Sequence, residues 1–253
     1  MALTKRQRAR MLRYGVYAFS LLVLVAVALF VDWGKLGSAM FQWKLVRRQF
    51  PGILTTAAKN TVIFTVCGFS GGLLLGLIMA LMRLSSVKPY RWFAATYIEI
   101  FRGIPLVVTL LILGFGLPIA FQWRWPNPYL QGAVPLALVA AAYMAETIRA
   151  GIEAVPKGQM EASRSLGMSY PRAMATIIIP QAIRVIIPPL TNELVLLIKD
   201  TSLISVLGVT AKTLDLARFG RNGVNDTANA TPLVVAGLVY LALTGTAGTL
   251  RLI

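Results

Sequence analysis

Apolar residues run in six long blocks, at roughly 14–31, 53–82, 93–120, 132–150, 181–200 and 232–250. A helix needs about 20 predominantly apolar residues to cross a bilayer core, and each block comes close to or exceeds that length. The pattern predicts an all-α membrane protein of about six transmembrane helices. Polar punctuation between the blocks marks the loops. In the second block Gly68, Gly72 and Gly76 recur at four-residue spacing, which places three glycines on one helix face where a neighbour can approach closely. That face serves either a sliding interface or static packing.

Two polar segments have structure of their own. The stretch between the first and second blocks carries Trp33, Phe41, Trp43 and Phe50 among basic residues, as expected of a segment at a membrane surface. The longest polar stretch, residues 152–180, reads as two short helices. Pro156 suits a first helical turn and Gly167 a C-cap; Ser169 caps a second helix with Pro171 in its first turn. Such a lobe either inserts into a partner or lies on the membrane surface. For insertion, Gly158, Ala162, Ser163 and Ser165 allow close contact, and Met160 and Leu166 offer apolar anchors.

Composition sharpens the class. Of 253 residues 57% are hydrophobic and only 13% charged, with mean hydropathy +0.71; a soluble domain carries about a quarter charged residues. The 25 Lys and Arg against 9 Asp and Glu give a net charge of +16. In so apolar a chain this excess belongs to cytoplasmic loops and anionic lipid rather than to nucleic acid. With the N-terminus inside, the inner segments hold Lys5 to Arg13, then Arg83, Lys88 and Arg91, then Lys157, Arg164 and Arg172, and Arg251. The outer ones hold Lys35, Lys44, Arg47 and Arg48, then Arg124, then Lys212, Arg218 and Arg221. The inner side carries more, so both termini of a multi-pass membrane protein are expected in the cytoplasm. The first block follows a basic run as a secretory signal does, but the stretch lacks a clear small-x-small cleavage site before Asp32, and a retained helix is expected.

The single cysteine, Cys67, forms no intrachain disulfide, and the chain has no histidine. Neither a zinc site nor a Ser-His or Cys-His nucleophile is expected. No G-x-x-x-x-G-K-[ST] string occurs, so the chain has no P-loop, and an energy source would sit on another polypeptide.

Ionisable residues inside apolar spans are costly and mark partners or wet cavities. Glu99 and Arg102 share a helix face, as do Glu146 and Arg149; structural ion pairs, a gate or a substrate contact all fit. In the fifth block Pro188 and Pro189 remove two backbone donors and predict a broken helix. The polar cluster Thr191, Asn192 and Glu193 follows at once, beside Leu190. Polar groups at a mid-membrane break suit a substrate site. Glu193 would meet an amino acid's α-ammonium and Thr191 and Asn192 would offer hydrogen bonds, or else Glu193 pairs with an arginine of a neighbouring helix. Lys199 and Asp200 are expected near the outer surface, partly solvated and structural.

The lobe also carries a motif. Glu161-Ala162-Ser163, three residues, Gly167, nine residues, then Ile177-Ile178-Ile179-Pro180 resembles the coupling loop of permease subunits of ATP-binding-cassette importers, in which Glu-Ala-Ala and a later Gly stand at this spacing. Ser163 for Ala and Ile179 for Leu are small departures. The strings YIEIFRGIPLVV (97–108), AAYMAETIRAGIEAVPKGQMEASRSLG (141–167) and PQAIRVIIPPLTNELVLLIKDTSLISVLGV (180–209) look like the polar-amino-acid branch, over roughly residues 52–250. The resemblance implies a five-helix permease domain over 52–253, preceded by an added N-terminal helix and interfacial loop in 1–51. It implies that residues 153–180 form coupling helices, with Met160, Glu161, Ala162, Ser163, Arg164 and Gly167 facing an ATPase subunit. The charges within the spans and the polar cluster of the fifth block, read on their own chemistry, give a candidate substrate pathway of Leu190, Thr191, Asn192, Glu193, Glu99, Arg102 and Glu146, and the resemblance implies a bacterial inner-membrane location. The implied partners are two ATPase subunits, an extracellular or periplasmic amino-acid-binding protein and a second permease, identical or related. ATP and Mg would bind the ATPase, leaving no cofactor on this chain. An ion-coupled amino-acid carrier that acts without an ATPase is the rival expectation.

Overall fold

In a computed structural model, residues 5–208 and 213–249 are described, and they form helices joined by short turns. Lys212 and Arg251, counted above in the charge comparison, lie outside them. Five helical stretches are long and apolar enough to cross a membrane, and a bent pair makes a sixth.

Helix α1 (Lys5–Phe30) is exposed along its apolar length, as suits a helix whose neighbour is lipid. The aromatic segment folds into α2 (Trp33–Met40) and α3 (Trp43–Gln49). The Asp32 side chain accepts from the Lys35 N–H at 2.9 Å and caps α2. Three long-range hydrogen bonds tie this segment to the loop before α13 (Thr231–Thr249). Gln42 N donates to Thr231 Oγ1 at 3.0 Å, Ala230 N to the Ala39 carbonyl at 2.9 Å and Asn229 Nδ2 to the Ser38 carbonyl at 2.8 Å.

A π-helical stretch, Ile53–Ala58, leads into α4 (Lys59–Leu84). Its most extensive partner is α8 (Pro128–Glu153), and the glycine face lies in that interface. A Cβ on Gly72 would sit 2.8 Å from Ala140 Cβ, and one on Gly76 3.0 Å from the Ala141 carbonyl oxygen. Close backbone approach is therefore what those glycines supply.

The third apolar block is not one straight helix. It is divided into α5 (Lys88–Gly103) and a second arm, α6 (Leu106–Leu111) and α7 (Leu117–Ala120) about a π-helical turn. The two arms meet at 105°. Pro105 is the cause: it disfavours helical backbone in the residue before it, and Ile104 is extended, with φ −95° and ψ 131°.

The fifth block differs in the opposite sense. Helix α11 (Ile179–Asp200) runs unbroken through Pro188 and Pro189, both on its exposed side. Membrane helices tolerate proline where local adjustments take up the freed backbone groups; here the carbonyls that lose an N–H partner are those of Arg184 and Val185, one turn before the prolines and on exposed residues. The irregular stretch lies upstream instead, as a π-helical turn at Met174–Ile178. It fuses α11 with α10 (Tyr170–Ala173), so only α9 (Lys157–Ser165) of the two expected lobe helices is separate. Beyond α11 a 3-10 stretch, Thr201–Leu207, and a short connection reach α12 (Leu216–Thr227).

Three apolar clusters stack along the bundle. One at the lobe end joins Met79, Ala145, Ile148, Val155 and Ile178. A central one joins Phe64, Leu110, Leu136 and Ile204. A third at the opposite end joins Ile53, Leu216 and Val235.

Candidate functional site: a charged cavity and a coupling lobe

A cavity of about 490 Å³ opens where the α5–α6 bend meets α8 and α11. Its walls are mostly apolar, with Pro105, Leu136, Val139 and Leu197 among them. Four polar side chains enter it: Arg102, Tyr143, Glu193 and Asp200. The bend positions Arg102, which lies on the last turn of α5 with its guanidinium carbon 5.3 Å from the Tyr143 ring centroid. That distance is within cation–π range. Glu193 and Asp200 stand two turns apart on one face of α11, with Leu196 and Leu197 between them, and both are half-buried.

Of the seven residues expected along a substrate pathway, Arg102 and Glu193 are brought together here. The other five lie elsewhere. Glu99 is exposed on α5, and no ion pair joins it to Arg102 among the described residues. Glu146 is held by Arg149, whose Nη2 lies 2.6 Å from its Oε2, while Arg149 also bonds Glu153. Thr191 bonds back into its own helix, Asn192 is exposed, and Leu190 packs against the central and lobe-end clusters. Glu193 has no arginine ion pair among the described residues.

Two cavity residues escaped the sequence analysis. Asp200, expected to be partly solvated, is the half-buried last residue of α11 and also lines the cavity; its offset of seven residues, two helical turns, from Glu193 was the available signal. Tyr143 is placed by the bend that brings Arg102 over it, and no local pattern announced that.

At the other end α9 projects from the bundle. Glu161, Ala162 and Arg164 are exposed, and Ser163 is buried with its hydroxyl donating to the Gln159 carbonyl at 2.6 Å. Met160 packs against the lobe-end cluster. Gly167 adopts φ +81°, the left-handed region glycine enters without steric cost. The Met168 N–H donates to the Ser163 carbonyl at 3.1 Å and the Gly167 N–H to the Arg164 carbonyl at 3.0 Å, which is the Schellman closure of a helix. Arg164 Nη1 also donates to the Met168 carbonyl at 2.9 Å. The turn leaves Leu166 84% exposed. This large apolar side chain sits at the tip of a polar lobe, as an anchor for a partner would.

Comparison with known proteins agrees with this architecture. Residues 72–250 match the family model of the binding-protein-dependent transport system inner membrane component. The arginine transport system permease protein ArtQ of Bacillus subtilis (strain 168) is 38% identical over 198 residues, 77% of this chain and 87% of that protein. The probable glutamine ABC transporter permease protein GlnM of the same organism is 40% identical over 191 residues, 73% and 83% of the two chains. A solved structure described as an amino acid ABC transporter with histidines superposes with a TM-score of 0.76 at 36% identity, covering 84% of this chain and 96% of that one. The expectation of an ion-coupled carrier gives way to these likenesses. The chain belongs to the family of inner-membrane components of binding-protein-dependent transport systems, as an ABC importer permease subunit of the polar-amino-acid branch.

Proposed function

We propose that the chain passes a basic amino acid through the cavity between α5–α6, α8 and α11, driven by ATP hydrolysis on a separate subunit that docks on the α9 lobe. The observation that carries this reading is the charge set of the cavity: one guanidinium, Arg102, faces two carboxyl groups, Glu193 and Asp200, within apolar walls. Arg102 matches an α-carboxylate. One acid then meets the α-ammonium and the other a cationic side chain, so each charge taken from water finds a counter-charge. An acidic amino acid would bring a second carboxylate to a site with one cation.

The lobe is the coupling element. Leu166 and Glu161 are its exposed contacts, and Gly167 sets the turn that presents them. An ATPase dimer closing on two such lobes, one from this chain and one from a second permease, rocks the spans between two conformations. A binding protein delivers the amino acid to the face opposite the lobe. This reading puts the lobe and both termini in the cytoplasm, with residues 1–51 as an added anchor before the 52–253 permease domain.

The test is uptake of labelled arginine into proteoliposomes carrying the assembled transporter. Glu193→Gln loses one charge-assisted contact, worth about 1.5–3 kcal/mol, so uptake at low substrate falls about 10- to 100-fold. Glu146→Gln changes it little, because that carboxylate is engaged by Arg149. Equal losses in the two variants, or none, count against the cavity.

A further inference from the structure

A second and larger hollow lies far from the substrate cavity. It is a groove of about 540 Å³ between the α2–α3 segment and α13, floored by the start of the second span. Trp43, Val46 and Phe50 line one wall and Leu238, Ala242 and Thr246 the other. The wall formed by α13 extends from Thr231 to Thr246, about 22 Å at the helical rise. One leaflet accounts for about 15 Å of the bilayer's hydrocarbon core, so the groove is deep enough to take an acyl chain along its length.

Its polarity suits the same occupant. The two hydroxyls in the α13 wall are already engaged: Thr231 Oγ1 donates to Asn229 Oδ1 at 2.6 Å, and Thr246 Oγ1 to the Ala242 carbonyl at 3.1 Å. The rim is basic. On α3 Lys44 and Arg47 lie beside the apolar stripe formed by Trp43, Val46 and Phe50; both are exposed, and neither has an ion pair among the described residues. The Arg47 guanidinium carbon sits 5.3 Å from the Trp43 ring centroid, so a cation is stacked on an aromatic at the groove's edge. Lys35 pairs with Asp32 at 3.1 Å, and Arg48 lines a separate hollow with Asp226. The walls are held in place by the three hydrogen bonds that tie α2–α3 to the start of α13.

We propose that this groove binds an anionic phospholipid, with an acyl chain laid along α13 and the headgroup phosphate held by Lys44 and Arg47. Charge complementarity selects the headgroup and the apolar depth selects the chain. The bound lipid fills the space between the aromatic segment and the last span.

The assembled transporter, reconstituted in nanodiscs of equal phosphatidylglycerol and phosphatidylcholine, is released from them and its retained lipids counted by native mass spectrometry. Phosphatidylglycerol is retained in preference. Each basic side chain near an anionic surface contributes about fivefold, so Lys44→Gln with Arg47→Gln lowers the preference about twentyfold. Ala242→Trp fills the groove and lowers the number of retained lipids. The unmodified protein supplies an independent readout: a photoactivatable phospholipid labels α13, and phosphatidylglycerol competes better than phosphatidylcholine. Equal retention of the two lipids by the unmodified protein overturns the proposal, as does α13 labelling that both lipids compete equally. So does a disulfide between two Leu238→Cys copies, which would put a second copy of the chain in the groove.

Discussion

Asp215 shows how much one side chain can cost in this fold. It caps α12, with Oδ2 accepting from the Ala217 and Arg218 N–H groups at 2.9 and 3.3 Å. Its other oxygen is buried and has no hydrogen-bond partner among the described residues. Burial outweighs the cap bonds and raises its pKa from 3.8 to about 6. The folded state thus favours the protonated form. Its stability relative to the unfolded chain falls as pH rises from about 4 to about 6 and stays lower above that. Two pKa units correspond to about 3 kcal/mol, taken as an order of magnitude. Asn caps as well as Asp and carries no charge. Asp215→Asn is therefore expected to raise the melting temperature at pH 7.5 and to raise it only about a third as much at pH 4.5. A gain of the same size at both values would assign the effect to something other than ionisation.

At the scale of the helix, the two glycine sites make separate demands. Gly72 is a packing position. With a Cβ 2.8 Å from Ala140 Cβ, Gly72→Ala forces α4 off α8 at a cost of about 1–3 kcal/mol. Gly237 on α13 has nothing among the described residues within 4 Å of its missing Cβ, so Gly237→Ala is expected to be neutral or slightly stabilising. Thermal unfolding of the two variants in one detergent tests the contrast. Gly167 is a conformational position, and a leucine there at φ +81° costs about 1–2 kcal/mol locally. Gly167→Leu is expected to assemble in the membrane and keep basal ATP hydrolysis, while losing the stimulation of hydrolysis by transported substrate. Normal stimulation in that variant would remove the lobe from the coupling path.

These elements also show what the sequence made legible. The spans could be read because a bilayer imposes length and apolarity on each segment separately, which a local window detects. Gly167 and the Gly68–Gly72–Gly76 face were legible for the same reason. Proline was harder. Pro188 and Pro189 sit inside a continuous α11, whereas Pro105 bends the preceding span by 105°. The ring chemistry is the same in both places; what differs is the backbone ahead of the ring, extended at Ile104 before Pro105 and helical before Pro188 and Pro189. The cavity was half legible. Arg102 and Glu193 stand out as charges in apolar runs, but their meeting depends on the bend, and Asp200 was masked by its neighbour Lys199, which faces away from the cavity.

For the molecule as a whole, the architecture separates three regions along one axis. The α9 lobe and its apolar cluster occupy one end, the charged cavity lies between the spans, and the aromatic segment with its basic rim occupies the other end. The α4–α8 pair, packed closely through glycine and alanine, runs between the ends. The chain carries no P-loop string, so the account requires that work be delivered at the lobe and expressed at the cavity. Uptake by proteoliposomes tests this most directly, with the permease, its ATPase and binding protein assembled and labelled arginine and glutamate compared. The account predicts arginine uptake that requires hydrolysable ATP and is not competed by glutamate. Arginine uptake without ATP, or glutamate carried as fast as arginine, would contradict it.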